Sequence, residues 1–236
     1  MTNNRATSPF VLQGVLFDLD GTLADTAPDL IAALNVALEQ NDFLAVSSDT
    51  LRYQASHGTL AMVQSVLPQQ SDECHARVQQ ALLTHYARIN GKYCQLFNGL
   101  SAFLARLAQH DIPFGIVTNK PARFTRPLLD TMGLTPLSQS IISGDTTCYA
   151  KPHTAPMLLA AQQLKVQPSQ ILYLGDAERD MQAANASGMY AGLAQWGYIG
   201  PNDTPETWPV DHVFNSVAAL NLWLENQLNR QKVYTR

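Results

Sequence analysis

Hydrophobic positions along the chain follow two patterns. Short unbroken apolar runs recur at wide intervals, at Gly14–Phe17, Phe114–Val117, 140–143, 171–174 and Tyr190–Ala194, with a weaker one at His212–Phe214. Unbroken rather than alternating apolarity predicts strands buried on both faces of a parallel sheet. Between the runs, apolar residues three and four apart predict helices. Leu100, Phe103, Leu104 and Leu107 make one face, and Met157, Leu158, Ala161 and Leu164 make another. Strand–helix alternation predicts an α/β fold, a doubly wound parallel sheet. Ligands of such sheets sit beyond the carboxyl ends of the strands, so polar residues at those ends are the first place to look for chemistry.

The stretch from Ala24 to Asn98 breaks the alternation. Leu30, Ile31, Leu34 and Leu38 share one helical face, Val78, Leu82, Tyr86 and Ile89 share another, and Pro28 suits a first helical turn. A crossover between parallel strands needs only about a dozen residues, and this one is several times longer. The expected organisation is therefore a core of residues 10–23 and 99–228, an inserted all-helical cap at 24–98, and flexible ends at 1–9 and 229–236. Pro127 is expected to kink the helix after the second strand.

Composition narrows the functional classes. Fifteen Lys and Arg against nineteen Asp and Glu, in 236 residues, form no basic stripe, which argues against nucleic acid as a partner. No apolar run approaches the ~20 residues of a membrane span, and the polar start at Met1 does not resemble a secretory signal. The three cysteines, Cys74, Cys94 and Cys148, are odd in number and form no Cys-x-x-Cys pair. That points away from a disulfide framework or zinc and toward the cytoplasm. A monomer or a homodimer is expected.

Chemistry-bearing residues stand where the strands end. Asp18 and Asp20 follow the first, and on an extended segment their side chains would point to one side, ~7 Å apart. An acidic turn is the bland reading. A calcium loop fails on spacing, because its sixth position would be Leu23 rather than Gly and its twelfth Asp29 rather than Glu. Thr118 and Asn119 follow the second strand, where a hydroxyl and an amide suit phosphate oxygens or an ordinary turn. Lys151 precedes a helix beyond the third strand. Asp176 and Asp180 follow the fourth, and on a helix, four apart, they approach one cation.

With Asp18-x-Asp20-Gly-Thr-Leu, Thr118-Asn119, Lys151-Pro152 and Gly175-Asp176-x-x-x-Asp180 in this order, the chain resembles the haloacid dehalogenase superfamily phosphatases over nearly its whole length. Within it, the stretches 117–124, 144–146, 151–156 and 196–199 are most similar to bacterial phosphoglycolate phosphatases and N-acetylmuramic acid 6-phosphate phosphatases. The resemblance implies a Mg²⁺-dependent phosphomonoesterase acting on a small phosphorylated metabolite. Asp18 would be the nucleophile and Asp20 the general acid and base. Thr118, Asn119 and Lys151 would bind the phosphoryl group. Asp18, the Asp20 backbone carbonyl, Asp176 and Asp180 would serve the metal, Asp180 through a water or by orienting Lys151. Relatives that cleave carbon–halogen bonds lack the second aspartate, and those that cleave phosphonates use a cap lysine, whereas the lone cap lysine here is Lys92 near the cap's end. The chain departs from the family at Ala177, where many relatives carry a hydroxyl or an acid.

In the cap, His57 is a candidate for substrate contact, with an exposed loop as the equal alternative. Arg123 and Arg52 are candidates for a substrate carboxylate, with a surface salt bridge the preferred alternative for Arg52. Met62 and Met157 are expected in the core. Two rival functions share the motifs: a phosphomutase, and a non-catalytic phosphometabolite-binding protein that would have no need of both Asp18 and Asp20.

Overall fold

In the computed structural model, which describes residues 10–47 and 51–234, the six apolar runs are the strands of one sheet. They are β1 (Gly14–Phe17), β4 (Phe114–Val117), β5 (Ser140–Ile142), β6 (Ile171–Gly175), β7 (Tyr190–Ala194) and β8 (His212–Phe214), in the order β5-β4-β1-β6-β7-β8. All pairings in this sheet are parallel. The remaining strands, β2 (Ala24–Asp25) and β3 (Gln95–Leu96), form a separate antiparallel pair where the chain enters and leaves the helical insertion.

Register decides what meets at the edge of the sheet. Phe17 lies opposite Ile116 on one side and Leu174 on the other. The residues that follow, Asp18, Thr118 and Asp176, therefore emerge within about one residue of the same level. Strand order also reverses at β1, with β4 and β5 to one side and β6 to β8 on the other. Such a reversal opens a crevice at the carboxyl ends of the strands.

The sheet is buried on both faces. Val15 and Phe17 pack with Phe103 and Leu107 of α4 (Leu100–Gln109) and with Leu220 and Leu224 of α8 (Val217–Tyr234). Leu16 and Tyr173 face the other way, onto α6 (Ala155–Leu164) and α7 (Glu178–Ala186). Each fully buried Leu or Phe contributes about 2 kcal/mol, so a one-residue slip of β1 would be costly. In α6, Met157, Ala160, Ala161 and Leu164 are buried, while Leu158, expected on that face, is 45% exposed. At 3.6 residues per turn its side chain points roughly 100° away from that of Met157. The helix α5 (Ala122–Thr131) runs through Pro127 as one element. The last helix continues to Tyr234, past the expected core boundary at 228. The expected N-terminal tail, 1–9, lies outside the described residues.

Between β2 and β3 lie α1 (Ala27–Glu39), a 3₁₀ turn (Arg52–His57), α2 (Thr59–Val66) and α3 (Asp72–Ile89). They share a hydrophobic cluster that includes Leu30, Leu34, Met62, Val78, Leu82 and Tyr86 and also takes in Phe124 and Tyr198 from outside the insertion. Buried Asp29 in α1 accepts the Gly91 and Tyr93 backbone N–H groups at 2.8 and 2.9 Å, which ties the first cap helix to the returning chain. Among the described residues no helix is long and apolar enough to cross a membrane.

Candidate active site

Asp18 is buried where β1 ends, and the Leu19 N–H donates to its Oδ1 at 2.7 Å. The chain does not stay extended. It turns at Gly21, whose φ is +81°, and a Cβ there would run into the Asp176 carboxylate and the Tyr198 ring. Glycine is therefore required both for the turn and for the close approach. The two aspartates then part company. Asp18 joins a buried network, while Asp20 reaches the Thr26 hydroxyl at 2.5 Å and the Lys120 ammonium at 2.8 Å.

Lys151 is the hub of the Asp18 network. Its Nζ lies 2.9 Å from Asp18 Oδ1, 2.7 Å from Asp180 Oδ1, and 2.8 Å from both the Val117 carbonyl and the Tyr173 hydroxyl. A buried ammonium without such partners would be costly. Asp180, in the first turn of α7, also accepts the Ala177 N–H on Oδ2 at 3.1 Å. Ala177 has no side-chain oxygen to return that bond, so this is half of a capping box. Burial opposes the Asp180 carboxylate, but Lys151, Arg179 and the Ala177 N–H outweigh it and hold the pKa below the ordinary value.

Asp176 is held at the end of β6 by the Thr22 hydroxyl (3.1 Å), the Ser56 hydroxyl (3.3 Å) and the Tyr198 N–H (2.7 Å). Burial, with Asp18 and Asp180 nearby, pushes its pKa up to about 7. Burial likewise raises Asp18 to about 6, against the pull of Lys151. Asp18, Asp176 and Asp180 each offer a carboxylate oxygen within 4.8 Å of the others. Three buried carboxylates around one buried lysine leave excess negative charge, and hard oxygen donors of this kind suit a small divalent cation.

The other expected residues divide. Thr118 is buried at the end of β4, and its hydroxyl accepts the Lys120 N–H at 3.1 Å. The Asn119 side-chain amide is committed to the Lys151 backbone, donating to its carbonyl and accepting its N–H, each at 2.9 Å. That bond pair holds the Lys151 loop in place beside the cavity, which Asn119 also lines. His57 ends the 3₁₀ turn and is exposed, and Arg123 is exposed at the start of α5. Both line a cavity of about 530 Å³ whose floor includes Asp18, Asp20 and Thr118 and whose far wall includes Leu83 and Tyr86. Arg52 pairs with Asp25 at 3.0 Å and covers the Tyr198 ring at 5.1 Å, so it occupies the hinge as a salt bridge.

Sequence patterns alone do not reveal Lys120, Tyr173 or Tyr198. Tyr173 sits inside a strand, where an aromatic reads as core, yet its hydroxyl touches Lys151, Asp180 and the Val117 carbonyl. Tyr198 binds Asp176 through its N–H, and its hydroxyl donates to Asp25 at 2.7 Å and accepts the Ala27 N–H at 2.9 Å. Lys120 directly follows Thr118-Asn119, and that adjacency is the one signal that could have pointed to it.

A family model for haloacid dehalogenase-like hydrolases matches residues 15–193. This chain belongs to that family. Its relatives include a phosphoglycolate phosphatase of Xanthomonas campestris pv. campestris, 37% identical over 84% of this chain and 90% of that protein. An N-acetylmuramic acid 6-phosphate phosphatase of Pseudomonas putida is 33% identical over 92% of this chain and 98% of that protein. Among solved structures, a predicted phosphoglycolate phosphatase from Haemophilus somnus shares the fold of this haloacid dehalogenase-like hydrolase. The TM-score is 0.80 at 24% identity, covering 90% of this chain and 98% of that one.

Proposed function

We propose that this hydrolase is a Mg²⁺-dependent phosphomonoesterase that cleaves a small anionic phosphorylated metabolite of the phosphoglycolate or N-acetylmuramic acid 6-phosphate type. One observation carries the reading. Asp18, Asp176, Asp180 and Lys151 converge as a buried cluster beneath a cavity that the cap helices roof.

Asp18 attacks phosphorus: its oxygen forms a bond to phosphorus as the ester O–P bond breaks, and an aspartyl phosphate results. Asp20 gives its proton to the departing oxygen. In the second half it takes a proton from water as the water oxygen bonds to phosphorus and the acyl O–P bond breaks, releasing inorganic phosphate and restoring Asp18. Lys151 and Thr118 stabilise the phosphoryl oxygens where charge concentrates. Asp180 positions Lys151, consistent with the bonds that occupy both its oxygens. Asp18, Asp176 and the Asp20 backbone carbonyl would hold Mg²⁺, which supplies charge neutralisation between carboxylate and phosphate. A cytoplasmic location is part of the same proposal, and three free cysteines suit it.

Asp18→Asn is the test. Its amide is a poor nucleophile and a poor magnesium ligand, so kcat on an aryl phosphate is expected to fall at least about 10³-fold with the fold retained. Turnover above a few per cent of wild type would rule out the aspartyl phosphate.

A further inference from the structure

A second ion pair stands apart from the Lys151 network. Lys120 Nζ lies 2.8 Å from Asp20 Oδ1, with the two side chains 7% and 15% exposed. The ammonium sits against the cap, 4.8 Å from the centroid of the Tyr86 ring on α3. Tyr86 in turn packs on Phe124 of α5 at 5.2 Å, and the Asn90 side chain just after α3 donates to the Phe124 carbonyl at 2.8 Å. From the hinge side, the Thr26 hydroxyl donates to the same Asp20 oxygen.

We propose that Lys120 is a positioning residue for Asp20, seated by the Tyr86 ring, so that the acid–base carboxylate is aimed at the reacting oxygen while the cap rests on the core. This rests on the reading of Asp20 as the acid and base. Both observed bonds fall on Oδ1, which leaves Oδ2 to meet the ester oxygen and then the water. A surface ion pair would orient little, because water competes for both partners. Here burial, the ring and the second bond act together, and a misplacement of ~1 Å in a catalytic group is enough to cost about 10²-fold. Lys120 itself exchanges no proton and makes no bond to phosphorus.

The experiment uses the full chain with Mg²⁺ and p-nitrophenyl phosphate, whose leaving group departs with little protonation. In Lys120→Met, formation of the phosphoenzyme should stay within about 3-fold of wild type, because Asp18 and Lys151 are untouched. Attack by water should slow at least ~30-fold, because it needs an aimed base. The signature is a pre-steady-state burst approaching one nitrophenolate per site, larger than in wild type, with kcat and KM falling together. Lys120→Arg should restore turnover to within about 5-fold. Tyr86→Leu keeps the ammonium and removes its seat; it should show the same burst with milder slowing, and it serves if Lys120→Met does not fold. A raised KM with unchanged kcat would overturn the proposal by making Lys120 a substrate ligand. Equal slowing of both half-reactions without a burst would also overturn it. Failure of the underlying reading looks different: wild type then forms no phosphoenzyme, or Asp18→Asn turns over normally.

Discussion

The loops at the sheet edge and the cap helices above them face the same cavity but are built differently. At the sheet edge Asp18, Thr118, Lys151, Asp176 and Asp180 are all buried. Each follows a parallel strand, opens the next helix or, for Lys151, lies in the loop between the two, and several have more than one polar partner. On the cap side, His57 and Arg123, from the 3₁₀ turn and from α5 beneath it, are exposed at the rim. A buried charge network has one low-energy arrangement, whereas exposed groups can move to meet a ligand. On the proposed function, the difference gives the chemistry to the core and the choice of ester to the rim.

Removing the hub should expose that division most sharply. Lys151→Met leaves Asp18 and Asp180 facing each other without their cation, and kcat is expected to fall about 10²–10³-fold. Stability should drop by about 3–5 kcal/mol, since one partner of a buried pair is gone. Arg52→Ala, which removes the half-exposed hinge pair and the contact with the Tyr198 ring, should cost about 1–2 kcal/mol in the same urea titration. Comparable losses in the two variants would contradict the contrast between core and cap.

The metal-free protein offers an intermediate effect. Asp18 and Asp176 have pKa values raised from the ordinary 3.8 to about 6 and about 7. Between those limits the folded protein keeps protons that the unfolded chain has released, so stability falls as pH rises. The favourable contribution is complete below about 4 and lost as pH passes through 6 to 7. With a chelator present, the thermal midpoint should therefore fall by several degrees between pH 5 and pH 7.5. Added Mg²⁺ should raise the midpoint at pH 7.5 and much less at pH 5. A midpoint insensitive to Mg²⁺ at pH 7.5 would remove these carboxylates as its site.

The smallest effect on catalysis belongs to the rim. His57→Ala should lower kcat/KM on the preferred metabolite at least ~10-fold, about 1.4 kcal/mol, while altering p-nitrophenyl phosphate hydrolysis much less. Equal losses on both substrates would make His57 a support of the cap rather than a selector.

Much of the fold and of the site is legible in the order of the amino acids. The apolar runs form strands close to their expected limits because a strand buried on both faces has no freedom to place a polar residue inside itself. Asp18, Thr118 and Asp176 are readable because polar residues that end such runs must lie at one edge of the sheet, whereas Lys151, in the loop after β5, is readable only from its place in the motif order. Lys120, Tyr173 and Tyr198 are not readable as part of the site. Lys120 and Tyr198 meet partners distant in sequence, since Asp20 lies 100 residues from Lys120 and Asp25 lies 173 from Tyr198, while Tyr173 is hidden inside an apolar strand.

What the sequence alone determined is thus the sheet, the helical insertion and the identity of the groups at the strand ends, because those follow from local periodicity and composition. Only the tertiary structure decided which oxygen meets which nitrogen. It bound the Asn119 amide to the Lys151 backbone, set Arg52 on Asp25 at the hinge, and paired Lys120 with Asp20 beneath a ring from the cap. The reason is geometric. A hydrogen bond or a buried ion pair is decided by fractions of an ångström between segments that only the packed fold brings together.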